Sequence, residues 1–375
     1  MPIPHDSSNS RRCKKREQIG KASTTCAVFL KHGICYKTPM NSQETHLSDG
    51  FSKLTPDVLL NAVEAEIGER LTGLTSPLPS YINRVYELLA FSQKRYVVKF
   101  YRPGRWTKEA VENEHRFMLD CVENEIPVVP PLPLKNGTTL GEVDGILFAV
   151  FDKRSGREME LNTSDDWKRV GTLLGRVHMT GQSGKAPHRV QLHPEKSLAD
   201  DIAWLLKGDD VPRHLHNEVK GVLDSVYDAA AARFDAVGDI DTIRLHGDCH
   251  LKNFLSRDGE GLLIIDFDDM AMGPPIQDIW LLLPDRVDQC RREFNLLLDG
   301  YEQFREFDDR TLTIVEPLRA MRMIYFLAWC SRQRQDYRFK SLFPDWGSDN
   351  FWRSEMTDLR RQLQHMQDRP AFGNC

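Results

Sequence analysis

Arg244-Leu-His-Gly-Asp-Cys-His-Leu-Lys-Asn253, followed by Leu262-Leu-Ile-Ile-Asp266-Phe-Asp-Asp269, decides the fold of this chain. One Asp, an Asn five residues later, and a second Asp 13 residues beyond Asn253 at the end of an apolar strand-like run are the parts phosphoryl transfer needs. Asp248 is the candidate base for an acceptor hydroxyl. The amide oxygen of Asn253 and the carboxylate of Asp266 are candidate ligands for Mg²⁺ against the phosphates of ATP. The spaced order H-x-D-x-x-x-x-N with its downstream Asp is far more specific than a dipeptide. A rival reading takes His246, Cys249 and His250 as zinc ligands. It lacks a second ligand pair of matching spacing elsewhere, so phosphoryl transfer is preferred.

Working outward, Lys99 lies inside the apolar strand Val97-Val-Lys-Phe-Tyr101. Alone, a strand lysine is most simply an exposed residue on the outer face. The phosphoryl-transfer template offers a lysine that grips phosphates and pairs with a Glu on the next helix, and the downstream motif favours that role. The helical stretch Lys108 to Val122 supplies Glu109, Glu112 and Glu114; Glu114 lies deepest and on the apolar side. The glycine-rich loop G-x-G-x-x-G is absent. In its place stands Ser76-Pro-Leu-Pro-Ser-Tyr-Ile-Asn-Arg-Val-Tyr86, where Ser80 and Asn83 either offer donors to phosphate oxygens or belong to an ordinary turn. The candidate set is therefore Asp248 and Asp266 as catalytic residues, Ser80, Lys99 and Glu114 around ATP, and Asn253 with Asp266 on the metal. Asp268 either joins the metal shell or caps the next loop, and Lys252 either reaches a phosphate or points to solvent. Asp278, in Gly273-Pro-Pro-Ile-Gln-Asp-Ile-Trp280, is expected to fix the catalytic loop by hydrogen bonding, and His178 to be structural.

At 375 residues the chain is long enough for two lobes, and 40% hydrophobic with 28% charged residues is an ordinary globular balance. The longest apolar run, Met323-Ile-Tyr-Phe-Leu-Ala-Trp329, is far short of a membrane span and fits a buried helix. A net charge of −5 argues against general nucleic-acid binding. Eight cysteines without paired spacing suggest reduced thiols in a cytosolic compartment. A helix after the cap Thr55 with Pro56 at its start, strands over Tyr81–Ala90 and Arg95–Tyr101, the helix at Lys108, and a strand over Gly145–Phe151 make a strand-rich first part. Beyond it the period is helical: Asp166–Thr180, Leu198–Leu206, Leu215–Phe234, Val287–Phe304 and Thr313–Ser331. The expected fold is α+β and bilobal. It has a small β-rich lobe at 51–151, a linker at 152–157, a larger helical lobe at 158–365, and a cleft between the lobes.

These residues bring a family into view. His246-Gly-Asp-Cys-His-Leu-Lys-Asn253 with Ile265-Asp-Phe-Asp-Asp269 resembles the aminoglycoside/choline phosphotransferase superfamily, which shares the protein-kinase fold. Ser80–Tyr86, Phe100–Pro103 with Arg105-Trp106, Ile126-Pro-Val128, Gly273–Asp278 and Glu316-Pro-Leu-Arg-Ala-Met-Arg322 narrow the resemblance to bacterial stress-response kinases over roughly residues 52–365. The resemblance implies a cytoplasmic serine/threonine protein kinase using Mg²⁺ and ATP. In it Asp248 matches the base, Asn253 and Asp266 the Mg²⁺ ligands, and Ser80 a position near ATP. Partners are then ATP and a protein acceptor, with no nucleic acid or membrane, for a monomer. A kinase of small hydroxylated metabolites is the alternative. A non-catalytic module is less favoured, because Lys99, Asp248, Asn253 and Asp266 are all present. Lys252 replaces the family's usual Gly.

Residues 1–39 do not match the rest. Eight Lys/Arg against Asp6 and Glu17 give them +6 of the net −5, so the remaining chain carries −11. Their best apolar run, Cys26-Ala-Val-Phe-Leu30, is too short for a secretory signal, and a basic transit peptide is a weaker fit than a disordered leader spanning 1–50. Met40 is a candidate true start, and a chain beginning there is expected to fold, bind ATP and turn over. Residues 366–375 are expected to be a tail.

Overall fold

The computed structural model describes residues 50–368 except Tyr337. Residues 1–39, Met40 and the end of the tail lie outside the described residues. Phe51, near the start of the described residues, is buried. Helix α1 (Pro56–Ile67) starts where the sequence says it should: Thr55 Oγ1 accepts from Val58 N, and Gly68 (φ 72°) ends it in the left-handed region. Strands β1 (Leu71–Leu78), β2 (Arg84–Ala90) and β3 (Arg95–Phe100) lead to α2 (Lys108–Glu123), capped by Thr107. Then come β4 (Gly141–Val143) and β5 (Ile146–Asp152). The five strands form one antiparallel sheet in the order β1-β2-β3-β5-β4.

The period of two along β3 and β5 divides the sheet into two faces. Val98, Phe100, Phe148 and Val150 join α1 in one core. Val97, Leu147, Ala149 and Phe151 face the other way, into a core that continues through α2 to the second lobe. Lys99 therefore emerges on the α2 side and is buried, not exposed on an outer face.

The second lobe opens with β6 (Arg157–Glu158) and continues with α3 (Ser164–Gln182), α4 (Ala199–Lys207) and α5 (His216–Val237). Short strands β7 (Ile243–Leu245), β8 (Phe254–Arg257), β9 (Gly261–Ile264) and β10 (Ala271–Gly273) carry the loops of the site. They build a β6-β8-β9 sheet and a β7-β10 pair. Helices α6 (Ile276–Leu282), α7 (Arg291–Tyr301), α8 (Val315–Gln333), α9 (Phe339–Leu342) and α10 (Asp349–Gln367) complete the lobe. Among the described residues no helix is long and apolar enough to cross a membrane.

Two elements depart from the sequence reading. Ser76–Leu78 is not loop: it pairs with Val85–Glu87 as part of β1, leaving Pro79–Asn83 as the turn. Pro77 is tolerated because β1 is an edge strand, and Gly73 (φ 83°) lies where the register shifts. Helix α10 has no counterpart in the expected elements and runs past the expected edge at residue 365. Its Trp352, Met356 and Leu359 enter the main core.

Helices α3 and α7 touch backbone to backbone. A Cβ on Gly171 would lie 1.9 Å from the carbonyl oxygen of Leu297, and one on Gly300 would lie 2.0 Å from that of Lys168. Neither helix can yield a flexible side chain, so Gly171→Ala should cost about 2–3 kcal/mol, outweighing the ~1 kcal/mol that alanine returns in helix propensity. Gly221 in α5 has open space around it. Gly221→Ala should therefore raise the melting temperature slightly while Gly171→Ala lowers it by several degrees. Equal shifts would refute the close-packing account.

On α2, His115 bonds Tyr101 Oη (3.0 Å) and Thr139 Oγ1 (2.7 Å). Burial, with Lys99 and Arg189 nearby, pushes its pKa down to about 3. The unfolded chain, near 6.5, binds a proton the fold refuses, so this histidine's contribution is full above ~6.5 and is lost as pH falls toward 3. Between pH 6.5 and 5 the native protein should lose about 2 kcal/mol through this group. His115→Gln should show a shallower fall of its urea midpoint over that interval; parallel curves would contradict the assignment.

Candidate active site

Asn253 and Asp266 are far apart in number but adjacent in space, because the 13 residues between them are a hairpin. Strand β8 pairs with β9, Phe254 opposite Ile264, and Ile265 N donates to the Asn253 carbonyl at 3.0 Å. Asn253 Nδ2 donates to the Asp248 carbonyl at 2.9 Å, which ties the base loop to the hairpin and leaves Oδ1 for a ligand. Asp266 has φ 65° and ψ 67°, a left-handed conformation uncommon for a residue with a side chain. Its side chain is half-exposed to the cleft.

The base loop is seated from below. Asp278 is fully buried at the start of α6; its carboxylate accepts from His246 N (2.8 Å) and Gly247 N (2.9 Å), and lies 3.1 Å from His178 Nε2. His178 Nδ1 lies 2.9 Å from Tyr301 Oη, so the histidine is held at both nitrogens inside the core. Gly247 (φ 84°) passes so close to the next loop that a Cβ would sit 1.9 Å from the Asp269 carbonyl oxygen. This contact requires glycine. His246 Nε2 donates to the Ile265 carbonyl at 2.9 Å.

Asp248 faces the cleft, a quarter exposed. Its carboxylate lies 2.5 Å from Arg322 Nη2 of α8 and 3.3 Å from His250 Nε2. Enclosure alone would raise its pKa, but the Arg322 guanidinium and His250 hold it well below the usual carboxylate range. It is therefore charged at neutral pH.

Across the cleft, Lys99 Nζ lies 3.2 Å from Glu114 Oε1, 2.9 Å from Asp268 Oδ1 and 3.9 Å from Asp266 Oδ1. Burial presses the ammonium's pKa down, yet Asp268 and Glu114 more than offset it, and Lys99 stays protonated. Asp268 is neither a loop cap nor open to solvent: it is buried between Lys99 and Arg105. Arg105 also reaches Asp269 at 2.6 Å. Arg189, buried, donates to the carbonyls of Met270 (2.7 Å) and Asp268.

The turn Pro79–Asn83 roofs the cleft. Asn83 Oδ1 accepts from Arg102 N at 3.1 Å, and the Arg102 guanidinium reaches Ile82 O (2.9 Å) and Asp336 (2.7 Å) of the other lobe. The Asn83 amide oxygen is thus committed to the turn. Ser80 lines the cleft, whose volume is about 810 Å³. The same cleft is bordered by Lys99, Glu114, Asp248, Asp266 and Arg322.

Asn253 and Asp266 offer two hard oxygens, the share a protein gives a Mg²⁺ that also takes phosphate oxygens and water. Among the described residues no cluster of three or more His, Cys, Asp or Glu could cage a metal. His246, Cys249 and His250 do not converge. Cys249 is buried in the core, and the Nε2 atoms of His246 and His250 face the Ile265 carbonyl and the Asp248 carboxylate.

Sequence reasoning did not single out Arg322, Arg105 or Arg189 as site residues. The sequence separation of Arg322 from Asp248, 74 residues, leaves no local pattern to read. In each of the acidic pairs Asp200-Asp201 and Asp209-Asp210 one member is buried, Asp201 against Arg332 and Asp210 against Arg334.

Known proteins are similar to this chain over most of its length. "Stress response kinase A" of Escherichia coli K12 is 36% identical over 85% of this chain and 96% of its own length. "Serine/threonine protein kinase RdoA" of Salmonella typhimurium LT2 is 34% identical over the same shares. Among solved structures, the amicoumacin kinase hAmiN in complex with AMP-PNP, Ca²⁺ and Ami superposes with a TM-score of 0.63 at 19% identity, covering 83% of this chain and 93% of that one. The fold is thus the bilobal, kinase-like α+β fold, with an antiparallel sheet in one lobe and a larger helical second lobe. Residues 75–314 match the phosphotransferase enzyme family, and the chain belongs to that family.

Proposed function

We propose that the protein is an ATP- and Mg²⁺-dependent serine/threonine protein kinase of a stress response, acting inside the cell. The observation that carries the phosphoryl-transfer part is the meeting of Asp248, Asp266 and the Lys99–Glu114 pair around one cleft, with Asn253 tied to the Asp248 carbonyl beside it. Lys99 grips the α/β-phosphates and Glu114 holds it in place. Asn253 Oδ1 and the Asp266 carboxylate hold Mg²⁺, which neutralises charge on the phosphates. Ser80 lies in the turn over the nucleotide. Asp248 orients the acceptor hydroxyl and takes its proton.

Protein Ser/Thr is the favoured acceptor because the relatives matching most of this chain include one named as a serine/threonine protein kinase. The amicoumacin kinase, whose fold is shared at lower identity, supports the alternative of a small hydroxylated acceptor. The deciding experiment is incubation with γ-labelled ATP, Mg²⁺ and separated protein and metabolite pools. Label is expected on protein Ser/Thr, and label confined to small molecules would overturn the protein-kinase reading.

A further inference from the structure

We infer that the acceptor hydroxyl arrives beside an anionic group, and that Arg322 is the specificity residue that reads this charge. The inference rests on the proposed transfer from ATP and adds the acceptor's chemistry.

Both carboxylate oxygens of Asp248 are occupied, Oδ1 by Arg322 Nη2 at 2.5 Å and Oδ2 by His250 Nε2 at 3.3 Å. A hydroxyl placed on Oδ1 must displace the guanidinium. Arg322 is about a quarter exposed, so acceptors entering the cleft can reach it. Among the described residues Asp248 is the carboxylate within ion-pair distance of it, and nearby Asp269 already receives Arg105 (2.6 Å) and Tyr325 Oη (3.3 Å), both on Oδ1. Moving a partly buried guanidinium off its counterion is costly unless another anion replaces it. A carboxylate or phosphate on the acceptor supplies that anion, in the geometry guanidinium binds well. As Arg322 turns to it, Oδ1 is freed for the hydroxyl. The acceptor oxygen then bonds to Pγ, the Pγ–O bond to ADP breaks, and the hydroxyl proton passes to Asp248.

A cationic acceptor finds no comparable partner. Of the cleft's carboxylates, Asp152 is paired with Lys94, Glu114 and Asp268 with Lys99, and Asp269 with Arg105. Asp266 is the proposed metal ligand.

The test uses the full chain with Mg²⁺, γ-labelled ATP and four acceptors: a Ser peptide flanked by Asp, the same peptide flanked by Arg, glycerate, and choline. Within the class that is labelled, the anionic member should exceed the cationic one in kcat/KM by on the order of tenfold or more, the scale of one charge-assisted contact. Arg322→Gln should erase that gap by raising the anionic acceptor's KM with the ATP KM unchanged, and Arg322→Lys should keep part of it. Preference for the Arg-flanked peptide or choline overturns the inference. So does a gap that survives Arg322→Gln, or an effect of Arg322→Gln on the ATP KM alone. Label on glycerate but on neither peptide would sink the protein-kinase reading and still uphold this one.

Discussion

Asp248→Asn is expected to lower kcat by roughly 10²–10⁴-fold while leaving nucleotide affinity almost unchanged. Asparagine has the same shape, and the backbone carbonyl of residue 248 still accepts from Asn253 Nδ2, so the loop stays tied to the hairpin. What disappears is the acceptor for the hydroxyl proton. Lys99 and Glu114, on the other side of the cleft, keep their contact with each other and Lys99 its proximity to Asp266. The check is single-turnover transfer from labelled ATP together with a nucleotide-binding titration. A normal rate in the variant would remove Asp248 from the role of base. A weakened affinity with an unchanged rate at saturation would move it to the nucleotide site.

The parts legible in the sequence are those whose chemistry is local. The H-x-D-x-x-x-x-N stretch and the Asp after an apolar run could be read because a tight loop and a hairpin place them, and both are short-range structures. Lys99 and Glu114 could be paired in advance because the phosphoryl-transfer template asks for a strand lysine and a Glu on the next helix, and Glu114 lies on the apolar side of α2; the strand alone would have left Lys99 on the outer face. Helix α1 announced itself through Thr55, Pro56 and Gly68. Strand β1 did not, since Gly73 and Pro77 are turn residues everywhere except at a sheet edge. Helix α10 carried a cap signal at Ser348, whose hydroxyl accepts from Phe351 N, but its polar composition hid the buried stripe. The arginines were the least legible. Arg105, Arg189 and Arg322 each reach the site from a different element, and an arginine's partner is set by tertiary contact rather than by neighbours in sequence. The same holds for two buried acids on α4 and after it: Asp201 and Asp210 find arginines on α8 or just beyond it.

The catalytic loop's dependence on Asp278 should give the largest combined loss of stability and activity. Its two oxygens take the backbone N–H groups of His246 and Gly247, and the His178 ring closes against the same carboxylate, all without solvent. In Asp278→Asn one oxygen becomes an NH₂ group that faces an N–H donor. One buried backbone donor is then unsatisfied, and the charge that strengthened the other bonds is gone. Together these should cost about 2–4 kcal/mol. In a protein of this size that is a fall in melting temperature of several degrees. The effect on rate should be larger than the effect on stability suggests. Gly247 is wedged against the Asp269 carbonyl, so a displaced loop cannot settle nearby without pushing the loop that carries Asp266. Transfer should therefore fall by on the order of 10²-fold even at a temperature where the variant is fully folded. Melting curves and kcat measured on the same sample separate the two losses. A variant that melts lower but turns over normally would show that Asp278 supports the lobe without seating the base. A variant unchanged in both would mean that the buried carboxylate is not what holds His246 and Gly247.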